Sequence, residues 1–387
     1  MKRIYSIDFT RGLVMIIMAL DHVRDMMHVH AIDQSPTNLS TTTPALFFTR
    51  WITYLCAPTF VFLAGTSAYI SCKNKRDVSQ SRKFLLERAL WLMILEFTLV
   101  NFGIFFDLGF HRFIFEVIAT IGFGFFILAL SLKSSSKAIG MVGLLIIFCH
   151  DLVPIIPLRE GSIIKLVLAP FFDPGPFLVT PHSVFSMSYP PIPWLGIMLI
   201  GFATGKLFDM PLAKRKNLFL QIGLGALFMF AIIRFINIYG DPGPWSTQKN
   251  MLYTWLSFIN VAKYPPSLLF CLITLGSMFI MLSFSEIASG WFFKFVSAFG
   301  KVPLFYFLVH FYLIHVAMLG LMFIQGFTWP QMDFASGTFG RPKGIQSGLS
   351  LWAIYFIWIG VVLVLYKPCQ WFGKYKADHD QWWLKFI

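Results

Sequence analysis

Residues 7–25 read IDFTRGLVMIIMALDHVRD, an apolar run with charged residues at both ends. Its apolar centre, residues 12–20, is continuous, which predicts a helix because the strands of a membrane barrel alternate apolar and polar side chains. A secretory leader would end in a small-x-small cleavage site, whereas here Asp21, His22 and Arg24 follow the apolar run. We therefore expect the first transmembrane helix at this position.

The composition of the whole chain agrees with this expectation. Hydrophobic residues make up 57% of the 387 residues and charged residues 13%, about half of the roughly 25% found in soluble domains. The 45 Phe residues alone outnumber the 18 Asp and Glu residues. A soluble enzyme, a disordered chain or a nucleic-acid binder each needs a charged surface that these residues could not cover, so the composition excludes all three classes.

The hydropathy of the chain predicts an all-α, polytopic membrane helix bundle that forms one domain over residues 1–387. Placing both termini in the cytoplasm puts 20 of the 31 Lys and Arg residues on inner segments and nine on outer segments, as the positive-inside rule requires. A structured loop, partly re-entrant, is expected at 157–186, because nine of the 21 prolines lie between Pro154 and Pro193. About ten windows are long and apolar enough to span, near 9–29, 45–71, 84–106, 112–132, 137–156, 187–208, 216–238, 264–284, 303–325 and 347–367.

The first helix carries a stripe of polar and Met side chains. The spacings 3, 4, 3, 4, 3 place six residues on one helical face, namely Asp8, Arg11, Met15, Met18, His22 and Asp25. Arg11 and His22 are three turns apart, about 16 Å along the axis. Charges at membrane depth mark sites or pathways, and an imidazole beside carboxylates suits a general base. A purely structural alternative is a buried bridge between Asp21 and Arg24 near the helix end.

Two further groups of residues are candidates for function. In the ninth predicted span Tyr306 and His310 share a face, and His315 follows five residues later; a buried His bonded to a neighbouring helix is the alternative. A basic run could bind the phosphates of a cytosolic cofactor, although anchoring at the inner surface would explain it as well. The run consists of Lys73, Arg76, Arg82, Lys83 and Arg88.

Several motifs of other enzyme classes are missing from the sequence. It contains no Walker loop, HExxH, G-x-S-x-G or dinucleotide-binding glycine motif. The five cysteines show no paired spacing, so we expect neither a disulfide framework nor a metal site.

Several segments resemble one known family. RIYSIDFTRGL (3–13) with LDHVRD (20–25) looks like the opening of bacterial membrane proteins related to the catalytic domain of heparan-alpha-glucosaminide N-acetyltransferase. The segments APTFVFLAG (57–65), PWLG (193–196), YPPS (264–267) and FGKVPLFY (299–306) resemble the same group. Arg11, ten intervening residues and His22 are also similar to the Arg/His pattern of the wider transmembrane acyltransferases that acetylate surface sugars.

The resemblance implies transfer of an acetyl or other acyl group from cytosolic acyl-CoA to a hydroxyl or amine of an extracytoplasmic sugar or glycan. His22 then takes the place of the catalytic histidine and Arg11 that of the arginine. In the heparan enzyme, however, the essential histidine lies in the loop after the first helix, a place filled here by His28 or His30. Both assignments stay open, and a bacterial inner (cytoplasmic) membrane is the implied location.

The remaining roles follow from this acyltransferase interpretation. His22 would act as the base or briefly carry the acyl group itself, and Asp21 or Asp25 would orient it. Arg24 would stabilise the oxyanion, and His310 would be a second acid/base or a pocket wall. His182 and Trp194 would shape the acceptor site, and the basic run would hold the CoA phosphates.

The partners expected are the lipid bilayer, acyl-CoA and a sugar or glycan acceptor, without metal or nucleic acid; a homodimer is left open. The alternative function is a proton-coupled transporter or flippase of a small solute or lipid-linked sugar. In that case the polar cluster of the first helix would be a proton relay.

Overall fold

The computed structural model describes residues 4–75, 77–156, 159, 161–180 and 183–386, and it is 71% helical. The described residues form fifteen α-helices. The first eight are α1 Tyr5–Met27, α2 Pro44–Ile52, α3 Cys56–Lys75, α4 Val78–Leu95, α5 Asn101–Phe105, α6 Val117–Ser131, α7 Ser136–Cys149 and α8 Ile163–Phe172. The others are α9 Pro191–Thr204, α10 Leu212–Ile236, α11 Met251–Ile259, α12 Leu268–Ser285, α13 Trp291–Gly300, α14 Pro303–Ile324 and α15 Leu351–Asp378.

Eight helical segments of the described chain are long and apolar enough to cross a membrane, so the predicted polytopic helix bundle is confirmed. The other two predicted spans correspond to α1, which carries five charged residues, and to α6, which has 15 residues. The side of the membrane on which each terminus lies stays a prediction. The eight segments are Pro44–Lys75, Val78–Phe105, Ser136–Pro154, Pro191–Asp209, Leu212–Ile236, Leu268–Ser285, Pro303–Ile324 and Leu351–Asp378.

A small three-stranded sheet, absent from the sequence-based prediction, joins two of the connecting segments. The strands are β1 Arg112–Phe115, β2 Gly175–Val179 and β3 Val184–Met187, in the order β1-β3-β2. β3 pairs parallel with β1 and antiparallel with β2. The window predicted at 112–132 therefore begins as a strand, and the segment predicted as a structured loop at 157–186 contains α8, β2 and most of β3.

Close helix crossings bring the core together around α1 and α3. α1 packs against α12, α13, α14 and α15 on one side and α3 on the other. A Cβ on Gly12 would lie 2.0 Å from the carbonyl oxygen of Val296 in α13. One on Gly65 of α3 would lie 2.1 Å from the carbonyl oxygen of Met198 in α9. Small residues thus let these helices approach backbone to backbone, the usual means of close packing in a membrane.

Candidate active site

Three cavities follow one another along α1, and the first lies near its amino-terminal half. This basic cavity, of about 240 Å³, has four cationic side chains in its wall: Arg11, Arg88, Lys301 and Lys376. The rest of its wall is mostly apolar and comes from α3, α4, α6 and α14. Arg11 donates to the hydroxyl of Ser67 at 3.0 Å and reaches the carbonyl oxygen of Gly300 at 3.5 Å. The cavity therefore suits a ligand with anionic groups and an apolar part.

The second cavity, the histidine cavity, adjoins the basic cavity. Its volume is about 190 Å³, and its wall includes the His22 ring. Phe60, Val117 and Phe307 belong to the walls of both cavities. These three side chains mark the junction between the two spaces. The charged residues of the histidine cavity are Asp21, Asp25, Arg50, Glu116 and Lys263.

The Asp21 carboxylate is held by two guanidinium groups. Arg24 donates to it at 2.8 Å, and Arg50, from α2, donates to its other oxygen. Arg24 also bonds Asp25 at 2.7 Å. The buried bridge considered as the structural alternative is therefore present, and it forms part of a cavity wall. Because both Asp21 oxygens face guanidinium groups, none of the described residues, Asp21 included, hydrogen-bonds the His22 ring.

His22 lies against a second imidazole from α14. The ring centres of His22 and His310 are 5.2 Å apart, and His22 also packs on Phe311 at 4.3 Å. His310 is fully buried, and its Nδ1 faces the backbone oxygens of Phe307 at 2.5 Å and Tyr306 at 3.1 Å. Facing two acceptors, Nδ1 carries the proton, which leaves the Nε2 lone pair without a partner among the described residues. The structure therefore brings these two histidines together.

Glu116 is the half-buried carboxyl group of the histidine cavity, at the start of α6. Burial raises its pKa to about 7, and the positive charge of Lys263 opposes this rise. It therefore exchanges a proton near neutral pH.

The third cavity, the polar bowl, is wider, with a volume of about 810 Å³. Segments 35–39, 241–248 and 257–264 supply most of its wall. It shares Asp25, Arg50, Lys263 and Tyr264 with the histidine cavity, so the two spaces meet at these side chains. Arg24 lines the polar bowl and is absent from the wall of the histidine cavity.

The two loop histidines lie apart from the three cavities. His28 is buried and pairs through its backbone with Leu349, and its carbonyl oxygen accepts a hydrogen bond from Arg341 at 2.8 Å. Burial lowers the pKa of His28 to about 4. His30 is half-buried and lies 3.4 Å from Asp33. Neither histidine contributes to the walls described above.

Most of the predicted phosphate ligands also lie elsewhere. Lys73 bonds Asp209 at 2.7 Å, Arg82 donates to a backbone oxygen of α6 at 3.1 Å, and Lys83 is 79% exposed. Of this basic run only Arg88 lines the basic cavity, and Arg76 lies outside the described residues.

Trp194, the one predicted acceptor residue that the structure describes, is not brought to a cavity wall. Trp194 is fully buried and packs against Tyr189, with the two ring centres 4.8 Å apart. Tyr189 lines the histidine cavity, so Trp194 supports the wall from behind and belongs to none of the three walls. His182 lies outside the described residues.

Sequence reasoning missed four cationic residues in the walls of the basic and histidine cavities, all of them distant from His22 in sequence or treated as surface charges. Lys301 lies within the segment 299–306, and Lys263 directly precedes the segment 264–267. Both segments carry the family resemblance, and this was the signal in the sequence that could have identified the two lysines. The four are Arg50, Lys263, Lys301 and Lys376. In the described part of the chain, no group of three or more His, Cys, Asp or Glu residues is arranged to hold a metal ion.

One family model matches the chain. It describes the catalytic region of heparan-alpha-glucosaminide N-acetyltransferase, and it covers residues 3–236, from α1 to the end of α10. The chain belongs to this family. Membership supports a membrane acetyltransferase function in general. His22, Asp21 and Arg88 lie within the matched region, whereas Lys263 and His310 lie beyond it. No individual curated protein matches the chain.

Proposed function

We propose that this protein transfers an acetyl or other short acyl group from acyl-CoA to a hydroxyl or amine of an extracytoplasmic sugar, with His22 as general base. The observation that carries the proposal is the series of adjoining cavities along α1. A basic cavity meets the histidine cavity at Phe60, Val117 and Phe307, and the histidine cavity adjoins the polar bowl at Asp25, Arg50, Lys263 and Tyr264. The acyl donor and the sugar could thus approach His22 from opposite ends.

The basic cavity suits the donor substrate. The Nε atom of Arg88 is buried there without a hydrogen-bond partner among the described residues, and a phosphate oxygen would supply one. The acyl thioester supplies an activated carbonyl. With the predicted topology, the Arg11 end of α1 lies at the cytoplasmic side, where CoA is found, and the polar bowl faces the other side. A bacterial inner membrane fits this arrangement.

The residues of the histidine cavity would carry out the proton transfers. His22 would remove the proton from the attacking hydroxyl or amine and return it to the leaving thiolate. His310, whose Nε2 has no partner among the described residues, would hold the His22 ring or share its proton. Arg24 and Arg50 would keep Asp21 ionised beside His22, where its charge favours the imidazolium formed during transfer.

The test is the release of free CoA thiol from acetyl-CoA by the purified protein, with and without a panel of neutral and amino sugars. We expect His22→Gln to abolish release while acetyl-CoA binding is retained. The matched control is the double variant His28→Gln/His30→Gln, which should keep full turnover. Loss of turnover only in the double variant would move the base to the loop after α1.

A second pair of variants tests the donor site. Arg88→Met should raise the KM for acetyl-CoA at least about tenfold, because a charge-assisted hydrogen bond contributes about 1.5–3 kcal/mol. Lys83→Met, from the exposed part of the same basic run, should leave the KM unchanged. If the wild-type protein neither binds acyl-CoA nor releases CoA, the transferase proposal fails. Solute uptake into proteoliposomes without CoA would then support the transporter.

A further inference from the structure

Lys263 is a buried cation at the place where two cavities meet. It lies in the segment between α11 and α12 and is only 7% exposed. Its side chain lines both the histidine cavity and the polar bowl. The ammonium nitrogen is 4.9 Å from the ring centre of Tyr264 and 5.9 Å from that of Tyr189.

No carboxylate in the described part of the chain forms an ion pair with Lys263. The neighbouring cations differ in this respect, since Arg24 and Arg50 share Asp21. The two Tyr rings compensate the ammonium only in part. A buried charge without a counter-ion is costly, and proteins keep such groups where a ligand or a reaction needs them. The half-buried Glu116 in the same wall, whose pKa is raised to about 7, cannot supply a full negative charge at neutral pH.

The segment that carries Lys263 is held firmly. Asp241 accepts hydrogen bonds from the Ala262 backbone at 2.8 Å and from the Ser267 hydroxyl at 2.7 Å. At the start of α12, Asp151 accepts the backbone N–H of Leu268 at 2.9 Å. These bonds fix both ends of a short segment around Lys263. A positive charge held in place before the reaction is the arrangement that stabilises a developing negative charge most effectively.

We propose that Lys263 is the catalytic group that stabilises the negative charge on the acyl oxygen during transfer. The inference rests on the proposed function and adds a residue to it. As the acceptor oxygen or nitrogen bonds to the carbonyl carbon, the C=O π bond breaks and its electrons move to the oxygen, beside the Lys263 ammonium. The C=O bond then re-forms, the C–S bond breaks, and the thiolate takes the proton that His22 removed from the acceptor.

Two neighbouring cations fit this role less well. Arg24 does not line the histidine cavity, and both Asp21 and Asp25 accept its hydrogen bonds. Arg50 lines the cavity, but its charge is balanced by Asp21. Of these three cations, Lys263 is the one that faces the cavity without a carboxylate partner among the described residues.

The test compares Lys263→Met, Lys263→Arg and the control Lys249→Met in the full-length protein, with acetyl-CoA and the sugar that gives the highest turnover. Lys249 is also a lysine over a Tyr ring, at 3.7 Å from the ring centre of Tyr253, but it is exposed and outside the histidine cavity. We expect Lys263→Met to lower kcat about 10²–10³-fold, as removal of an oxyanion-stabilising group does elsewhere. The KM for the sugar and the Kd for acetyl-CoA should stay near wild type.

Lys263→Arg keeps the charge and should recover at least a tenth of the wild-type kcat, and Lys249→Met should match wild type. An unchanged kcat in Lys263→Met would overturn this inference but leave the proposed function standing. So would a rise confined to the KM of the sugar, which would assign Lys263 to an anionic group of the acceptor. If Lys263→Met elutes as an aggregate, Lys263→Arg decides, because a folded arginine variant that binds acetyl-CoA without any turnover contradicts a role of charge. A wild-type protein without acetyl-CoA binding or CoA release would overturn the proposed function, and this inference with it.

Discussion

The Asp21 carboxylate offers a sharp test of how the histidine cavity is held together. Replacing it by Asn removes one negative charge from between two buried guanidinium groups. Arg24 keeps a second carboxylate partner, because it bonds Asp25 at 2.7 Å. Arg50 loses the one carboxylate that pairs with it among the described residues. The loss of stability should therefore come mainly from Arg50, which would be left as an unpaired buried cation.

The expected size follows from the burial of the two groups. The side chains of Asp21 and Arg50 are 10% and 15% exposed. Removing one partner of a buried ion pair costs about 3–5 kcal/mol, because the other charge stays out of water without compensation. Since Arg50 also lies 5.5 Å from the ring centre of Tyr54 and is not completely buried, we expect the lower end, about 3 kcal/mol.

The double variant Asp21→Asn/Arg50→Met separates the lost pair from the unpaired charge. It removes both charges, so we expect its free energy of unfolding to return to within about 1–2 kcal/mol of wild type. The exposed pair of Lys73 and Asp209 is the control, because its 2.7 Å distance is similar but its side chains are 53% and 46% exposed. Asp209→Asn should cost at most about 1 kcal/mol.

The free energies can be compared by unfolding in mixed micelles with increasing SDS, followed by tryptophan fluorescence. Two results would refute the reasoning. The first is a loss in Asp21→Asn no larger than in Asp209→Asn. The second is a double variant Asp21→Asn/Arg50→Met that loses as much stability as Asp21→Asn or more, since the unpaired Arg50 would then not be the cause.

Three further predictions concern the junction, the proton exchange and the packing. Phe60→Ala and Phe307→Ala should raise turnover of butyryl-CoA relative to acetyl-CoA, measured by CoA release, because these rings narrow the passage between the basic and histidine cavities. Burial raises the pKa of Glu116 from 4.5 to about 7, so the folded protein keeps a proton that the unfolded chain loses. The free energy of unfolding of the wild-type protein should therefore fall as pH rises from about 4.5 to 7. Thermal unfolding at pH 5 and 8 should show a smaller loss of stability between these two pH values in Glu116→Gln than in wild type. Gly201→Ala would put a Cβ 2.1 Å from a backbone oxygen of α3 and should cost about 1–3 kcal/mol, whereas Gly360→Ala, with open space around it, should cost nothing.

The local part of the site could be predicted because it lies on one helix. Asp21, His22 and Asp25 follow from helical spacing, and charges in an apolar run stand out in any membrane sequence. Lys263 and Lys301 could not be assigned in this way, because their place beside α1 depends on how distant helices pack. Hydrophobic periodicity predicts which residues share a face of one helix, but it does not predict which helices pack against each other.

The same limit explains two differences between prediction and structure. β1 and β3 pair although about 70 residues separate them, and neither strand is longer than five residues, so the helical pattern around them hides the sheet. Trp194 was expected to shape the acceptor site. It packs behind Tyr189 instead, where it is fully buried in the bundle, and helical spacing within α9 alone does not show which neighbouring helix that face meets.

The order of the cavities along α1 bears on the choice between transferase and transporter. Phe60, Val117 and Phe307 lie at the junction between the basic and the histidine cavity. A transporter would have to move its whole substrate past these three side chains. A transferase needs to pass only the thioester end of the donor, while the rest of CoA stays on one side and the sugar on the other. Because a cavity of about 190 Å³ with His22 in its wall adjoins a bowl of about 810 Å³, the smaller space suits a small group held at a reactive centre, and the larger space suits a larger acceptor. The geometry therefore favours transfer across the junction over transport through it.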